Sequence, residues 1–488
     1  MMGRKTYQEK MFYNFSLSER VPEDHFLRKV AKVVDLSFVR KLVKPYYSYT
    51  GQPSIDPIVL FKMMLIGYFY GITSERRLAE ETSLNMAFMW YLGYDLDEST
   101  PNHSVISKAR ARYGKEVFEQ FFHKVLGFCV EAGLVGGEKV FVDSTIVKAN
   151  ASLKSLVSRQ DLVEPKFSPK EYVDHVFSEN PVEESSQLDS PSKEDEKKIG
   201  ESKSRQRGRA NKDIVSTTDP DASVYQRPGV PYQLAYKEHV AVDSKARVIT
   251  AVKVTPAAVT DDRVLPDLIH DQPAKPKEVC ADKIYGSVDI YAHLFDRDIL
   301  PSIPRRSTGG WRYTGGFPTD NFVYDRDRDV CICPANQILK RKGRSYRWHW
   351  TVYKAEKQKC KACKLKSQCA GGKAGRSVIR YDRQDALDFA LTHLKTEKAK
   401  RTIKQRKVYA ETIFAEAKNS HGLRRAICRG LDKVATQALL TCAVQNIKRL
   451  IKHYHTSIAN PIYATLKQFH FRARLLLVPA SRQRIRVT

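Results

Sequence analysis

The chain has 488 residues, 42% of them hydrophobic, and carries 83 Lys and Arg against 55 Asp and Glu, for a formal net charge of +28. That length predicts more than one domain and enough apolar residues for a large core. Positive charge on this scale opposes a compact fold unless a polyanion neutralises it, so nucleic acid is the leading expected partner, ahead of a membrane surface.

Targeting signals and membrane spans are not expected. The longest apolar run, residues 58–70, is interrupted by Lys62 and is too short to cross a bilayer. Residues 1–20 are polar and charged, so no secretory signal is predicted. Nine Cys in such a chain favour free thiols or metal ligands over a disulfide framework. We therefore expect a cytoplasmic protein that is not bound to a membrane.

Residues 1–125 are predicted to form an all-α N-terminal domain, which includes an amphipathic stretch over residues 27–43. Ser74 is a typical N-cap for a helix over residues 74–82, and a basic helix is expected after Pro101. The basic residues of that helix are Lys108, Arg110, Arg112 and Lys115. A helical module of this kind could enter a DNA groove, but the pattern is equally compatible with a solvated basic face.

Two acidic residues follow predicted buried strands in an α/β region assigned to residues 126–304. Asp143 comes after the apolar triplet of KVFVDSTIVKAN, and Asp282 ends the short strand EVCAD. An ionised carboxylate there needs a cation, a metal or dense hydrogen bonding, although an Asp that caps a strand end would look the same. Because α/β sheets build sites at strand ends, we expect Asp143 and Asp282 to converge.

A mobile insertion is predicted within this α/β region, over residues 152–212. The segment is rich in Ser, Glu and Lys and lacks the large apolar side chains needed to order itself. Beyond it, residues 236–242 and 248–254 are predicted to form a hairpin through the turn at residues 243–247. Asp261 and Asp262 are predicted to begin a helix that runs toward Ile269.

Residues 305–380 are predicted to form a small Cys-rich insertion. A Cys-Pro pair at Cys333 precedes a C-x2-C-x5-C pattern made by Cys360, Cys363 and Cys369. Four such ligands suit a closed tetrahedral zinc site that stabilises a module too small for its own core. Cys331, one residue removed from Cys333, is an alternative fourth ligand, and ordinary free thiols are the other interpretation.

The region 381–455 is predicted to be helical, with helices over residues 383–418 and 423–454. The second of these helices is expected to pack on the sheet, and a basic tail follows over residues 456–488. Glu411 and Lys418 are seven residues apart and share a helix face. From that spacing alone, a solvated helix with surface ion pairs would be favoured.

Asp143, Asp282 and Glu411 come from well-separated segments and together suit a site for two divalent metal ions. Carboxylates supply the hard oxygen ligands that Mg²⁺ or Mn²⁺ prefers. One metal would activate water or a 3′-hydroxyl, and the other would stabilise the departing oxygen in an in-line displacement. With positive charge available to hold DNA, the predicted reaction is phosphodiester cleavage and strand transfer.

Several motifs spread over most of residues 20–455 together point to one known family. They are VPEDHFLRKV, SIDPIVLFKMMLIGYFYGITSERRLAEE, FVDSTIVKANAS, DPDA, YKEHVAVD, ADKIYG, the Cys cluster, RKVYAETIFAEAKNSHGLRRAICRG and QNIKRL. Through these motifs the sequence resembles the DDE transposases of bacterial insertion sequences, which have a ribonuclease-H-like catalytic core. The resemblance implies a ribonuclease-H-like mixed sheet flanked by helices, preceded by a helical domain at residues 20–115 that binds the terminal repeats or serves assembly.

The resemblance also implies roles for individual residues. Asp143 and Asp282 would be the catalytic aspartates, and Glu411 the catalytic glutamate. Arg406 and Lys418 would assist at the DNA backbone or at the metal-bound phosphate. Further implications are a homodimer on double-stranded DNA, comprising terminal inverted repeats and target, and a bacterial cytoplasm in which the protein is associated with the nucleoid.

One position departs from the family pattern, and one acid is held in reserve. Family members commonly have Phe-Gly after the glutamate, where this chain has Phe414 followed by Ala415. Glu416 is a second nearby acid on a different helix face and is the reserve assignment for the glutamate.

Two other functions share these features. A non-catalytic or inactivated DNA-binding protein would use the helical domain and the Cys module for binding, with structural acids. A metal-dependent nuclease of the same fold would use the same carboxylates without strand transfer. Loss of any of the three acids separates the binding protein, which keeps its function, from the transposase, which loses cleavage but still recognises DNA ends.

Overall fold

The chain forms a helical N-terminal region, a six-stranded mixed sheet flanked by helices, and a second sheet of five strands. A computed structural model describes residues 15–52, 54–159, 211–306, 317, 319–346, 349–369 and 375–458. The predicted basic tail, residues 456–488, therefore lies almost entirely outside the described residues.

The N-terminal region is helical, as predicted. Its helices are α1 (Leu17–Arg20), α2 (Phe26–Val33), α3 (Phe38–Val43), α4 (Pro57–Tyr70), α5 (Glu75–Leu84), α6 (Met86–Leu92) and α7 (His103–Glu131). Ser74 caps α5 as expected, because its side chain accepts a hydrogen bond from the Arg77 amide. The amphipathic stretch predicted over residues 27–43 is two helices, since the backbone turns extended at Val34.

The basic residues of α7 mostly have partners within the protein. Arg110 forms an ion pair with Glu75, and Lys115 lies 3.5 Å from an Asp432 carboxylate oxygen. The guanidinium of Arg112 stacks over the Tyr47 ring at 5.0 Å. The first half of α7 is thus held against its neighbours, and the helix changes direction at Gly114, whose φ is 68°.

The larger sheet mixes antiparallel and parallel pairing. Its strands are β1 (Lys139–Lys148), β4 (Ser223–Arg227), β5 (Val230–Asp243), β6 (Ile249–Pro256), β7 (Glu278–Cys280) and β8 (Leu300–Ser302). The order is β4-β5-β1-β7-β8, with β6 also on β5. Strand β1 is antiparallel to β5 and parallel to β7, which is parallel to β8. The hairpin predicted from the sequence is confirmed as β5 and β6.

A small two-stranded sheet forms where the insertion predicted over residues 152–212 begins and ends. Strands β2 (Leu156–Ser158) and β3 (Ile214–Ser216) pair antiparallel. This pairing orders residues 156–158, which belong to the first part of the segment predicted to be mobile. Residues 160–210, on which the rest of that prediction falls, lie outside the described residues.

Helices cover both faces of the large sheet. One face carries α8 (Leu265–His270), α9 (Val288–Phe295) and α12 (Gln384–Leu394). The other carries α13 (Glu397–Arg406), a π-helical turn (Lys407–Glu411), α14 (Thr412–Ser420) and α15 (Leu431–Ile458). The helix expected from residue 423 begins only at Leu431, because Gly422 and Gly430 both have positive φ and the residues between them bond to other segments.

The N-terminal helices and the sheet share one hydrophobic core. Helix α15 contacts α7, α2 and α4 as well as β6. Phe61 of α4, Phe121 of α7, Phe141 of β1 and Val444 of α15 all belong to that core. The prediction that the last helix packs on the sheet is confirmed, and the N-terminal helices are held to the sheet through it.

The second sheet is antiparallel and occupies the region predicted as a Cys-rich insertion. Its strands are β9 (Val323–Asp325), β10 (Val330–Ile332), β11 (Ile338–Ser345), β12 (Trp350–Ala355) and β13 (Ser377–Tyr381). Two short helices, α10 (Lys357–Lys361) and α11 (Lys366–Cys369), follow β12.

Across the described part of the chain, no single helix is long and apolar enough to cross a membrane. Helices α4 and α5 meet the length and composition test only as a pair, bent by 100° at the break between them.

Candidate functional site

The pairing of β1 with β7 brings two of the predicted acids together. The parallel register ends at Phe141 opposite Cys280. Asp143 and Asp282 each lie two residues beyond that last pair, so they sit at equivalent positions where the two strands part. The convergence expected from the sequence is thus present in the backbone pairing.

Asp143 does not end its strand, contrary to the sequence-based expectation. Strand β1 continues to Lys148 because β5 keeps pairing with it, and Asp143 itself faces Val240 of β5. Only β7 stops, since Asp282 instead caps a short turn by accepting a hydrogen bond from the Lys283 amide at 2.6 Å. Asp143 and Asp282, called the acidic pair below, therefore lie where β7 has ended while β5 still pairs with β1.

Arg406 of α13 neutralises Asp143. Its Nη1 lies 2.6 Å from Asp143 Oδ2, and the Ser144 amide donates to Oδ1 at 2.9 Å. Burial raises the pKa of Asp143 to about 6, against the opposing charge of Arg406 and with smaller contributions from the charges of Asp282 and Asp261. A carboxylate held here is costly to ionise, and an additional cation would stabilise its charged form.

Asp261 is an acid of this region that sequence reasoning did not assign to the site. It starts a short turn after β6, is 7% exposed, and has Oδ1 3.0 Å from Lys237 Nζ and 3.8 Å from His239 Nδ1. The sequence signal was the Asp261-Asp262 pair, which was interpreted only as a helix start. The negative charge of Asp261 makes a small contribution to the raised pKa of Asp143.

Glu411 lies on the same helical segment as Arg406 but is not joined to the aspartates. It ends the π-helical turn that begins at Lys407, and its side chain is exposed. The ring of Tyr409 in that turn stacks on Phe141 at 4.5 Å, which fixes the segment over β1. Among the described residues, no hydrogen bond or ion pair connects Glu411 with Asp143 or Asp282.

Lys418 lies beside a different acid, Glu238. Burial lowers the pKa of Lys418, and the neighbouring charge of Glu238 partly offsets that effect. Glu238 is 1% exposed on β5, and its pKa is raised to about 7 by burial, while Cys442 and Lys418 favour its charged form. Nothing in the described contacts joins Lys418 to Asp143.

Glu416, the reserve assignment, is part of a structural ion-pair cluster. Its carboxylate lies 2.9 Å from Lys448 Nζ, 3.2 Å from Arg449 Nη2 and 3.5 Å from His421 Nε2. Burial opposes its charge, yet these three partners hold its pKa well below the ordinary value. The family departure at Ala415 leaves the local helix intact, since α14 is regular from Thr412 to Ser420.

Four of the cysteines line one small cavity beside the second sheet. They are Cys333, Cys360, Cys363 and Cys369. The amides of Gln337 and Arg376 donate to the sulfurs of Cys333 and Cys360, at 3.3 and 3.5 Å. Cys331 lies elsewhere, buried against Leu339 and Tyr353, so Cys333 is the better placed of the two alternatives.

Among the described residues, neither the acidic pair nor the four cysteines form a complete metal-binding site. Within the described ranges, no three His, Cys, Asp or Glu side chains are placed to hold a metal ion. The donor chemistry nevertheless fits the metals expected from the sequence. Asp143 and Asp282 offer hard oxygen ligands at adjacent positions, and four thiols share one cavity with backbone donors to two of the sulfurs.

Two segments of the chain match known transposase families. Residues 15–112 match the family described as "Transposase domain (DUF772)", and residues 332–451 match the family described as "Transposase DDE domain". The second match includes Arg406, Glu411 and Lys418, while Asp143 and Asp282 lie between the two matched segments.

The comparison with solved structures found a cryo-EM structure of the piggyBac transposase synaptic complex with hairpin DNA. It is 10% identical, with a TM-score of 0.35, over 93% of this chain and 80% of that chain. No curated protein matches the chain.

The family matches identify the chain as a transposase. The resemblance to DDE transposases predicted from the sequence motifs is thereby confirmed, which implies an enzyme of the polynucleotidyl transferase type.

Proposed function

We propose that this transposase cuts DNA at the terminal inverted repeats of an insertion sequence and joins the cut end to target DNA. The observation that carries the proposal is the register of β1 and β7, which sets Asp143 and Asp282 side by side at the opening of the sheet. Two adjacent carboxylates at the point where the strands part suit metal-assisted chemistry on a phosphate group.

We propose Asp143, Asp282 and Glu411 as the catalytic acids, holding Mg²⁺ or Mn²⁺ at the scissile phosphate. A bound pair of such ions activates the attacking hydroxyl and stabilises the departing oxygen. Asp143 and Asp282 would hold the metal ions at the end of β7, and the ions would in turn bind the reacting phosphate. Glu411 follows Arg406 on a helical segment that already crosses β1, and a side-chain rotation or a shift of the π-helical turn would bring its carboxylate nearer.

Arg406 and Lys418 have different parts in this proposal. Arg406 keeps Asp143 charged and oriented before metal and DNA arrive, and its guanidinium can then pair with a phosphate oxygen. Lys418 lies on α14 near Glu238 of β5, whose charge partly offsets the effect of burial on the pKa of the lysine. Both residues thus add positive charge near the path of the DNA backbone.

The fold-level proposals follow from the same arrangement. The antiparallel strands β6, β5 and β1 and the parallel strands β7 and β8 support a ribonuclease-H-like core. We assign the helical region matched by the first family to end recognition or assembly, and the four-cysteine cavity to structural Zn²⁺. Because two ends must be brought together for transposition, we expect the DNA-bound form to be a homodimer. We expect it to act in the bacterial cytoplasm.

The proposal is tested with a labelled duplex that carries the terminal repeats of the element encoding the chain. Native protein with Mg²⁺ should cut at the repeat boundary and form joined products, and a chelator should stop both reactions. Asp143→Asn should bind the duplex but neither cut nor join it. Binding without cutting by the native protein would favour the DNA-binding alternative, and cutting without joining would favour the nuclease.

A further inference from the structure

A basic segment lies at the far end of the open edge of β1. Residues 423–430 are not helical; they run alongside the end of β1, where Lys148 forms a parallel bridge with Arg425. The Lys148 amide donates to the Arg424 carbonyl at 3.2 Å, and the Ala426 amide donates to the Lys148 carbonyl at 2.8 Å. This segment therefore takes the place of a neighbouring strand at that point.

The bridge and β7 use the same edge of β1. Lys148 already pairs with Ala235 of β5 on its other side, so Arg425 must approach along the edge that β7 occupies at residues 139–141. Between these two contacts, no described strand pairs with residues 142–147 on this edge. The acidic pair stands at one end of the gap and the basic segment at the other, five residues or about 16 Å along β1 from Asp143.

The basic segment is held rigidly while its charges face outward. Leu423 and Ala426 are buried, whereas Arg424, Arg425 and Arg429 are exposed. Asn150 fixes two of these arginines, because its side-chain oxygen accepts from Arg425 and its carbonyl accepts from Arg429, each at 2.9 Å.

Further bonds hold the backbone of the segment. The Gln437 side chain bonds to the backbone of Arg425 and Ile427, and the Gly430 amide donates to Asp219. The three arginines are thus presented from a fixed backbone rather than from a loose surface loop.

The described residues supply no acidic partners for these basic side chains. In the described part of the chain, no carboxylate forms an ion pair with Arg424, Arg425, Arg429 or Lys148, although other exposed basic residues do find acids. Lys418 adds a further positive charge nearby, since its pKa is lowered by burial and, to a smaller extent, by the charge of Arg424. Four positive charges that no described carboxylate pairs with are suited to contacts with a polyanion.

We infer that Lys148, Arg424, Arg425 and Arg429 form a binding surface for the DNA backbone, which holds the duplex as it leaves the acidic site along β1. The inference rests on the proposed function for the nature of the ligand, and it assigns to this surface a part that neither family match describes. Guanidinium groups in fixed positions pair with phosphate oxygens and contribute without reading sequence.

The experiment measures binding of a fluorescent random-sequence duplex, without divalent metal, across a series of salt concentrations. Arg424→Gln/Arg425→Gln/Arg429→Gln should weaken binding by about tenfold or more at physiological salt. The slope of log affinity against log salt should become shallower by up to about 3, near 0.9 for each lost phosphate contact. Arg326→Gln changes an exposed arginine in the turn between β9 and β10; it is the control for the loss of one positive charge and should bind as the native protein does.

Two further variants separate charge from folding. Lys148→Gln alters an exposed side chain and should reduce the slope by about 1. Arg424→Lys/Arg425→Lys keeps the charge and loses the guanidinium hydrogen bonds, so it should retain most of the affinity and nearly all of the slope.

Equal affinity and equal slope for the triple Gln variant and the native protein would overturn the inference, whatever happens to cleavage. Conversely, if the native protein never cuts DNA but the triple variant shows the shallower slope, the binding surface stands and the proposed reaction fails. A loss of slope by Arg326→Gln equal to that of Lys148→Gln would also overturn it, because the effect would then belong to total charge.

Discussion

Arg406 and Asp143 form an ion pair with an Nη1 to Oδ2 distance of 2.6 Å, and the two side chains are only 18% and 17% exposed. They lie far apart in sequence, on α13 and β1, so the pair ties the helical segment that carries Glu411 to the strand that carries the first aspartate. The stacking of Tyr409 on Phe141 adds a second contact between the same two elements.

Removal of the Arg406 guanidinium should therefore weaken the fold as well as the site. Arg406→Ala should lower the free energy of unfolding by about 2 kcal/mol, because Asp143 is left largely desolvated without its cation, and residual exposure keeps the loss below that of a fully buried pair. Urea denaturation measures it, and Arg401→Ala, which changes an exposed residue of the same helix, is the control. If Arg406→Ala and Arg401→Ala are equally stable, the ion pair contributes nothing.

Glu411 and Glu416 should separate catalysis from stability. Glu411 is exposed, so Glu411→Gln should leave the unfolding free energy unchanged and abolish metal-dependent cleavage. Glu416→Gln should cost about 3 kcal/mol, because Lys448, Arg449 and His421 lose their carboxylate, yet cleavage per folded molecule should persist. Melting curves and cleavage assays on both variants decide the matter. The opposite pattern would exchange the two assignments.

Glu238 should make stability depend on pH. Its folded pKa of about 7 exceeds the ordinary 4.5, since burial disfavours the charge. Glu238 therefore contributes its full stabilisation, as the neutral acid, below pH 4.5. This contribution to the free energy of unfolding, about 3 kcal/mol, is lost as the pH rises through about 7. Glu238→Gln stays neutral, so its unfolding free energy relative to native should increase over that window. A constant difference between the two proteins at all pH values would contradict the assignment.

The four-cysteine cavity should bind one zinc ion per chain. Cys363→Ser and Cys369→Ser should each lower the zinc content measured on the purified protein by atomic absorption, because both residues line the cavity. Cys428→Ser is the control, since Cys428 lies in the segment beside β1 and should leave the zinc content unchanged. Native protein without zinc would show that these residues are ordinary thiols.

Much of the fold could be predicted because local patterns agree with the final packing. The apolar run of α4, the Ser74 cap of α5 and the β5–β6 hairpin all appear where sequence reasoning expected them. Asp143 and Asp282 were recognised as a pair because a carboxylate after a buried apolar strand is costly without a partner.

The remaining features depend on contacts between distant segments. Strand β1 extends past Asp143 only because β5 pairs with it, and residues 423–430 are extended only because they bridge to Lys148. Asp261 comes near enough to Asp143 to affect its pKa only because of the strand order in the sheet. The sequence around Asp261 does not reveal that order. The same holds for Lys418, whose neighbour Glu238 comes from a strand far earlier in the chain.

The central claim is that Asp282, brought beside Asp143 by the β1–β7 register, holds the metal at the scissile phosphate. The most direct test compares Asp282→Asn with Asp298→Asn, an exposed isosteric control, on a duplex bearing the element's terminal repeats with Mg²⁺. Asp282→Asn should bind the duplex as tightly as the native protein and cut none of it, while Asp298→Asn cuts normally. Undiminished cutting by Asp282→Asn would contradict the account.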